Sequence, residues 1–254
     1  MAERSIKSAM RTLAVFEFFA LEQRALRVRD VSTALSIPQS SASMLLENLV
    51  DLGYLEHDRR ARTFIPTIRV ALLGTWIHHK FAQDMQLERR LDELQSAVGE
   101  MVYIGIENRW RAQYVLVQYP TSPRRFEVHG GQFRTLTRSA MGHVLLSRKP
   151  DAEVLKLVRR TNAEEPDPKL RVSETAFMDL IAKVRVQGFS ETLGASTPGL
   201  GAFAITTLNP TSTTPIAVGV AGPIHRMREK RSLILSELKQ FMLEFDSGST
   251  PPLI

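Results

Sequence analysis

Residues 38–56, PQSSASMLLENLVDLGYLE, open with a proline and three serines, become a leucine-rich helical pattern, and stop at Gly53. Pro38 cannot continue a preceding helix but suits the first turn of the next one. Ala42, Leu45, Leu46, Leu49 and Leu52 recur at helical spacing, which predicts a helix over 38–52 with one apolar face. Gly53 stands where a glycine ends a helix. One hydroxyl is enough to cap such a helix. Gln39, Ser40, Ser41 and Ser43 together exceed what a cap needs. Short polar side chains on the first turns let a backbone approach a DNA groove and still hydrogen-bond to base edges, which is the task of a recognition helix.

The flanks support that reading. Upstream, residues 8–21 place Met10, Leu13, Phe16, Phe19 and Ala20 at helical spacing, with Ser8 in the N-cap position. Residues 27–36 read as a short helix with Val31, Ala34 and Leu35 inward, and SIPQ as the turn into the next. Downstream, YLEHD and TFIPT are strand-like runs around RRAR. Helix, helix, helix, β-ribbon is the order of a winged helix-turn-helix, expected over residues 1–67. Residues 1–66 carry nine Lys and Arg against eight Asp and Glu, so this segment is no broad basic patch. Its cations are clustered instead, as Arg4, Lys7 and Arg11, and as Arg59, Arg60 and Arg62. Clustered arginines suit phosphates or a flanking minor groove, although a solvated surface gives the same pattern. The expected DNA-binding residues are Gln39, Ser40, Ser41, Ser43, Arg59, Arg60 and Arg62.

Residues 67–98 keep a helical period. Ile68, Leu72 and Trp76 form one row, and Leu87, Leu91, Leu94 and Val98 another. A linker helix is expected over 68–82, and its apolar row suits either a second copy of the chain or its own domain. From residue 100 the period changes. MVYIGIE and AQYVLVQ form a hairpin around NRWR, and RRFEVH is a third candidate strand. Helices are expected in SAMGHVLLSR, DAEVLKLVRR and ETAFMDLIAKVRVQG, then strands in FSETL, GAFAITTL and IAVGVAG, then a closing helix over about 224–245. That order predicts an α+β domain over 83–254, an antiparallel sheet covered by helices.

Composition removes several classes of function. The chain of 254 residues has 43% apolar and 24% charged residues and no cysteine, which excludes disulfides and thiolate metal sites and fits a reducing compartment. It has no apolar run long enough for a membrane helix and no signal-peptide pattern, so a cytoplasmic location is expected. No nucleophile elbow, zinc-protease motif, P-loop or dinucleotide fingerprint occurs, so neither an enzyme nor a cofactor is expected. His78 and His79 are adjacent and point apart on a helix, a poor metal pair. The rival to a DNA-binding protein is a non-catalytic protein-interaction module without a small-molecule effector.

In TRSAMGHVLLS, VRVQGFSETLG, GLGAFAITTLNP and AVGVAGP, in that order, the chain resembles the IclR family of bacterial transcriptional regulators, and its N-terminal part resembles the family's winged helix-turn-helix. The resemblance implies a linker helix, a GAF-like C-terminal domain that binds a small organic effector, and dimers or tetramers on a roughly palindromic DNA operator. Carried position by position, it implies an effector site at Arg138, Ser139, Ala140, Met141, Glu191, Ala202, Gly219 and Ala221. Alanine and glycine stand where members that bind small carboxylates often have small polar residues. That predicts a roomier, more apolar site, with Arg138 to pair with a carboxylate and an aromatic or branched acid as its ligand. Tight packing of strands is the other reading of those small residues. Two departures stand out. Met44 occupies an exposed position of the recognition helix that is often basic, and His143 replaces the lysine of the Gly-Lys motif.

Overall fold

In the computed structural model, residues 6–75, 85–120, 128, 130–208 and 214–248 are described. The chain divides into two compact units, Met1–Lys80 and Phe81–Ile254.

The first unit is built on helices Lys7–Glu22 (α1), Val28–Leu35 (α2) and Gln39–Asp51 (α3), followed by strands Leu55–Asp58 (β1) and Thr63–Pro66 (β2) and the short helix Ile68–Leu72 (α4). Its core is Val15, Phe19, Leu26, Val31, Ile37, Ala42, Leu46, Leu49, Leu55 and Phe64, all buried. β1 and β2 pair antiparallel, with His57 opposite Phe64. Leu26 adds a reciprocal backbone pair to Phe64 at 3.0 and 2.8 Å, so the chain between α1 and α2 anchors the base of the ribbon. Gly53, at φ +76°, turns the chain out of α3, and Tyr54 N–H donates back to the Leu49 carbonyl.

Several sequence expectations shift here. Ser8 does not cap α1: Ile6 is the N-cap residue, without a side-chain bond. The buried row of α1 is Val15 and Phe19, whereas Met10, Leu13 and Ala20 are exposed. AVFEFFAL is apolar nearly all round, and one residue of drift turns a helix face by about 100°, so periodicity did not fix which side is buried. Ala34 and Leu52 are exposed as well, each at or beside a helix end.

The second unit begins with helix Met85–Val98 (α5), whose row Leu87, Leu91, Leu94 and Val98 is buried as expected. Strands Met101–Asn108 (β3), Arg111–Gln118 (β4), Phe133–Thr135 (β5), Ser190–Leu193 (β6), Leu200–Leu208 (β7) and Pro215–Pro223 (β8) form one antiparallel sheet in the order β5-β4-β3-β8-β7-β6. Helices Ala140–Ser147 (α6), Asp151–Glu164 (α7) and Glu174–Gln187 (α8) lie between β5 and β6 in the chain. The closing helix is broken at Lys230 into Ile224–Glu229 (α9) and Arg231–Gly248 (α10). At that break the Lys230 ammonium bonds the Val98 carbonyl and the buried Glu100 carboxylate, both at 2.8 Å.

The sheet is apolar on both sides, because helices cover both. Val102, Ile104, Phe203, Ile205, Val218 and Val220 pack with α5 and α10. Met101, Tyr103, Ala204, Ala217 and Ala221 pack with α6 and α8. This explains why the strands read as near-continuous apolar runs rather than strict alternations. The candidate strand RRFEVH lies, except for Val128, outside the described residues, as do Trp76, His78 and His79. Among the described residues, the strand beside β4 is β5, three residues that pair with β4 between Arg111 and Gln113.

A candidate DNA-reading helix and a small-residue sheet face

The start of α3 resolves the question its serines raise. Pro38 is the N-cap residue, no side chain caps the helix, and the Pro38 carbonyl accepts Ala42 N–H at 3.0 Å. No hydrogen bond engages the Ser40, Ser41 or Ser43 hydroxyl among the described residues, so capping is not their role. Gln39 and Ser40 are exposed, and Ser41 and Ser43 half-buried. The turn before α3 is fixed from α2: Ser32 Oγ donates to the Ile37 carbonyl at 2.7 Å, and Ile37 N–H donates back to the Ser32 carbonyl at 3.1 Å.

The exposed row of α3 extends past the serines to Met44, 67% exposed, and Glu47. Ser40, Met44 and Glu47 are spaced i, i+4, i+7, the row opposite the leucines. That spacing was in the sequence, yet the expected reading residues stopped at Ser43. Glu47 Oε1 lies 3.1 Å from His57 Nδ1 on β1, and the His57 ring stacks on Phe64 at 4.1 Å. α3 is thereby tied to the β1–β2 ribbon.

In the wing, the Asp58 carboxylate accepts the Arg60 and Ala61 N–H groups, both at 2.9 Å, and Arg62 takes a left-handed backbone at φ +55°. That turn leaves Arg59, Arg60 and Arg62 exposed, and none has a carboxylate partner among the described residues. Lys7 and Arg11 are exposed on α1, and Arg4 lies outside the described residues. Three uncommitted guanidiniums on a two-strand ribbon make an electrostatic surface for a polyanion.

The second group of expected residues gathers around the N-terminus of α6. Ser139 is its N-cap: the hydroxyl accepts Gly142 N–H at 3.1 Å and donates to the Thr135 carbonyl at 2.8 Å. Ala140 and Met141 are buried in the first turn. Across the sheet, Ala202 pairs with Ala221, and Ala204 with Gly219. Met101 and Tyr103 of β3 stand opposite Ala221 and Gly219. Ala140, Met141, Ala202, Gly219 and Ala221 therefore share one side of the sheet.

Three expectations need correction. The small residues do not leave an open site in this structure. A Cβ on Gly219 would overlap the Tyr103 ring, and one on Gly105 would overlap the Met141 sulfur, so those two side chains fill the volume. Glu191 is paired with Phe203 across β6 and β7, while its neighbour Thr192 is paired with Ala202. Side chains alternate along a strand, so Glu191 faces the opposite side, where Arg231 of α10 holds its carboxylate at 3.0 Å. Arg138 already has a partner, Glu165 at 3.1 Å.

Tyr103 is fully buried, and among the described residues its hydroxyl has only a long contact of 3.5 Å to the Phe203 carbonyl. Burial pushes its phenol well above the ordinary range, so it stays protonated. His143 is buried between Ser190 and Thr137, with Nδ1 at 2.9 Å from Ser190 Oγ and Nε2 at 3.0 Å from the Thr137 carbonyl. A carbonyl only accepts, so Nε2 carries the proton and Nδ1 accepts from the serine. Burial lowers its pKa, partly opposed by the bond to Thr137, so the ring is a neutral strut.

Comparison with known proteins agrees with both halves. Residues 8–59 match the family model described as the IclR helix-turn-helix domain, and residues 82–245 match the bacterial transcriptional regulator IclR C-terminal model. The chain is similar to the uncharacterized HTH-type transcriptional regulator RhmR of Escherichia coli, 26% identical over 198 residues, which covers 77% of this chain and 75% of that protein. Its fold resembles an IclR transcriptional regulator from Alicyclobacillus acidocaldarius, with a TM-score of 0.80 at 16% identity, covering 97% and 100% of the two chains. It also resembles an IclR homolog from Microbacterium hydrocarbonoxydans complexed with 4-hydroxybenzoate, with a TM-score of 0.69 at 15% identity, covering 92% and 99%.

Proposed function

The chain belongs to the IclR family of bacterial transcriptional regulators, and from that premise we propose that α3 and the wing read a roughly palindromic operator, while the second unit binds a small organic acid that modulates this binding. The observation that carries the DNA assignment is the start of α3, where three serine hydroxyls and Gln39 have no structural duty. In this reading Gln39, Ser40, Ser41 and Ser43 face base edges, and Arg59, Arg60 and Arg62 contact phosphates or the flanking minor groove.

Two copies would place two recognition helices in successive major grooves on one face of the DNA. Ile68, Leu72 and Leu73 of the α4 region are exposed apolar side chains, as are Met10 and Leu13 of α1, and a second copy is their natural cover. Pairing of dimers into tetramers is compatible with this arrangement.

The effector assignment rests on Ala140, Met141, Ala202, Gly219 and Ala221 sharing one apolar side of the sheet, with Ser139 fixing the helix above it and Arg138 nearby in the chain. A ligand there must displace Met141 or Tyr103. Methionine is unbranched and readily repacks. An aromatic acid such as 4-hydroxybenzoate suits an apolar chamber of that kind.

The test of the DNA assignment is salt dependence. Affinity for a site selected from random duplex DNA should fall steeply with ionic strength. Arg59, Arg60 and Arg62 changed together to alanine should flatten the log–log slope by about 0.9 for each phosphate that is no longer neutralised. An unchanged slope removes the wing from the interface, and a salt-insensitive association would favour a protein-interaction module instead.

A further inference from the structure

A feature of α3 has no role in its fold. Met44 sits on its second turn, 67% exposed, between exposed Ser40 one turn before it and exposed Glu47 one turn after it. The core residues Ala42, Leu46 and Leu49 occupy the opposite side of the helix, so Met44 lies outside the core of its unit. From Gln39 to Asp51 the helix has no lysine or arginine. It therefore lacks the cationic side chains that neutralise phosphates and that grip the O6 and N7 atoms of guanine. Cations for phosphates lie elsewhere in the unit, on the wing at Arg59, Arg60 and Arg62 and on α1 at Lys7 and Arg11 among others. What the exposed side of α3 offers is serine hydroxyls, the amides of Gln39 and Asn48, the Glu47 carboxylate beside His57, and one long apolar side chain.

In the major groove the one apolar group on a base edge is the 5-methyl of thymine. We infer that Met44 is a specificity-determining residue of this regulator and packs its thioether against a thymine methyl in each half-site. The assignment rests on α3 being the reading helix. Its reach fits: a side chain on the second turn lies close to the helix N-terminus, the end that meets base edges in helix-turn-helix proteins. Its chemistry fits too, because methionine is flexible and polarizable and adapts to a small apolar bump. Water leaves both the thioether and the methyl when they meet.

The test uses the full chain. A preferred site is first selected from random duplex DNA with the wild-type protein and, in parallel, with Met44→Ala. Met44→Ala should lose the preference for thymine at one position per half-site and keep the rest of the site. Deoxyuridine at that thymine, which removes only the methyl, should weaken wild-type binding about fourfold in one half-site and about fifteenfold in both, the value of burying one methyl-sized group. Met44→Ala should lose less than about 1.5-fold from the same replacement, because the group that senses the methyl is gone. Met44→Lys should bind more tightly at low salt, with a steeper salt slope and no thymine preference at that position. Met44 is exposed, so its variants should melt with the wild type, and a melting scan checks this.

An identical selected site for wild type and Met44→Ala, or equal uridine penalties in the two proteins, overturns the assignment while leaving α3 as the reading helix. A pool from which the wild type enriches no site overturns the DNA-reading role of α3 and this assignment with it.

Discussion

Tyr103 changed to alanine, beside Tyr103 changed to phenylalanine, measures how much of the sheet face is held by volume. The ring is fully buried and occupies the space that Gly219 leaves by having no Cβ. It also stands edge-on to Tyr114, with ring centroids 5.1 Å apart. Large-to-small aromatic changes in cores cost about 3–5 kcal/mol. Ala204, Gly219 and Ala221 are too small to collapse into the gap, so the upper half of that range is expected. At about 2–4 °C per kcal/mol for a unit of this size, Tyr103→Ala should melt roughly 8–20 °C below the wild type. Among the described residues the hydroxyl has only its 3.5 Å contact to the Phe203 carbonyl, too long for a good hydrogen bond. Tyr103→Phe should therefore stay within about 1 kcal/mol of the wild type. The assay is circular dichroism melting of the full chain, without and with 4-hydroxybenzoate or benzoate. Apolar cavities of ring size stay dry and accept benzene-like ligands, so aromatic acids should recover more stability in Tyr103→Ala than in the wild type. A Tyr103→Ala protein that melts within about 2 °C of the wild type, the shift of less than one kcal/mol, would refute the claim that the ring fills this face. Equal losses for alanine and phenylalanine would mean that the hydroxyl, not the volume, is what counts.

Two further outcomes follow from the same geometry. The folded pKa of His143 lies below the ordinary 6.5, so the unfolded chain takes up its proton first. The contribution of the neutral ring should be complete above about pH 6.5 and lost as pH falls from there through the lower folded value. His143→Leu should flatten that part of a stability-against-pH curve, and an unchanged curve would mean that His143 is not the group titrating. Glu191→Ala removes an ion pair with Arg231 on the opposite side of the sheet from Gly219. It should cost no more than about 1 kcal/mol, as partly exposed pairs do, and should leave melting shifts with aromatic acids unchanged. A vanished shift would place the ligand on the α10 side.

The architecture was legible because its signals are local. Pro38 and Gly53 bracket α3, Ser139 and Gly188 mark helix ends, and the change of period at residue 100 separates helices from strands. The misses are of two kinds. Where a segment is apolar nearly all round, as in AVFEFFAL, period alone does not choose the buried side: Phe19 was in the expected row, but Val15 was not. Where a site is made by strands far apart in the chain, a slip of one residue changes the face, and Glu191 shows the consequence while Thr192 takes the facing position. β5 escaped because three residues carry no period. Met44 and Glu47 carried a signal in their spacing from Ser40, and the structure shows both exposed on the side away from the buried leucines.

By itself the sequence determined a winged helix-turn-helix followed by a helix-covered antiparallel sheet, and the order of motifs that marks the family. Caps, breakers and hydrophobic periods act within a few residues, so they survive in one dimension. Only the tertiary structure decided that the serines of α3 are not caps, that Glu47 is tied to the wing through His57, and that Tyr103 and Met141 occupy the volume over Gly219 and Gly105. Those are questions of which atom meets which in three dimensions. They are settled by packing volume and register, and neither is written in the spacing of residues along one segment.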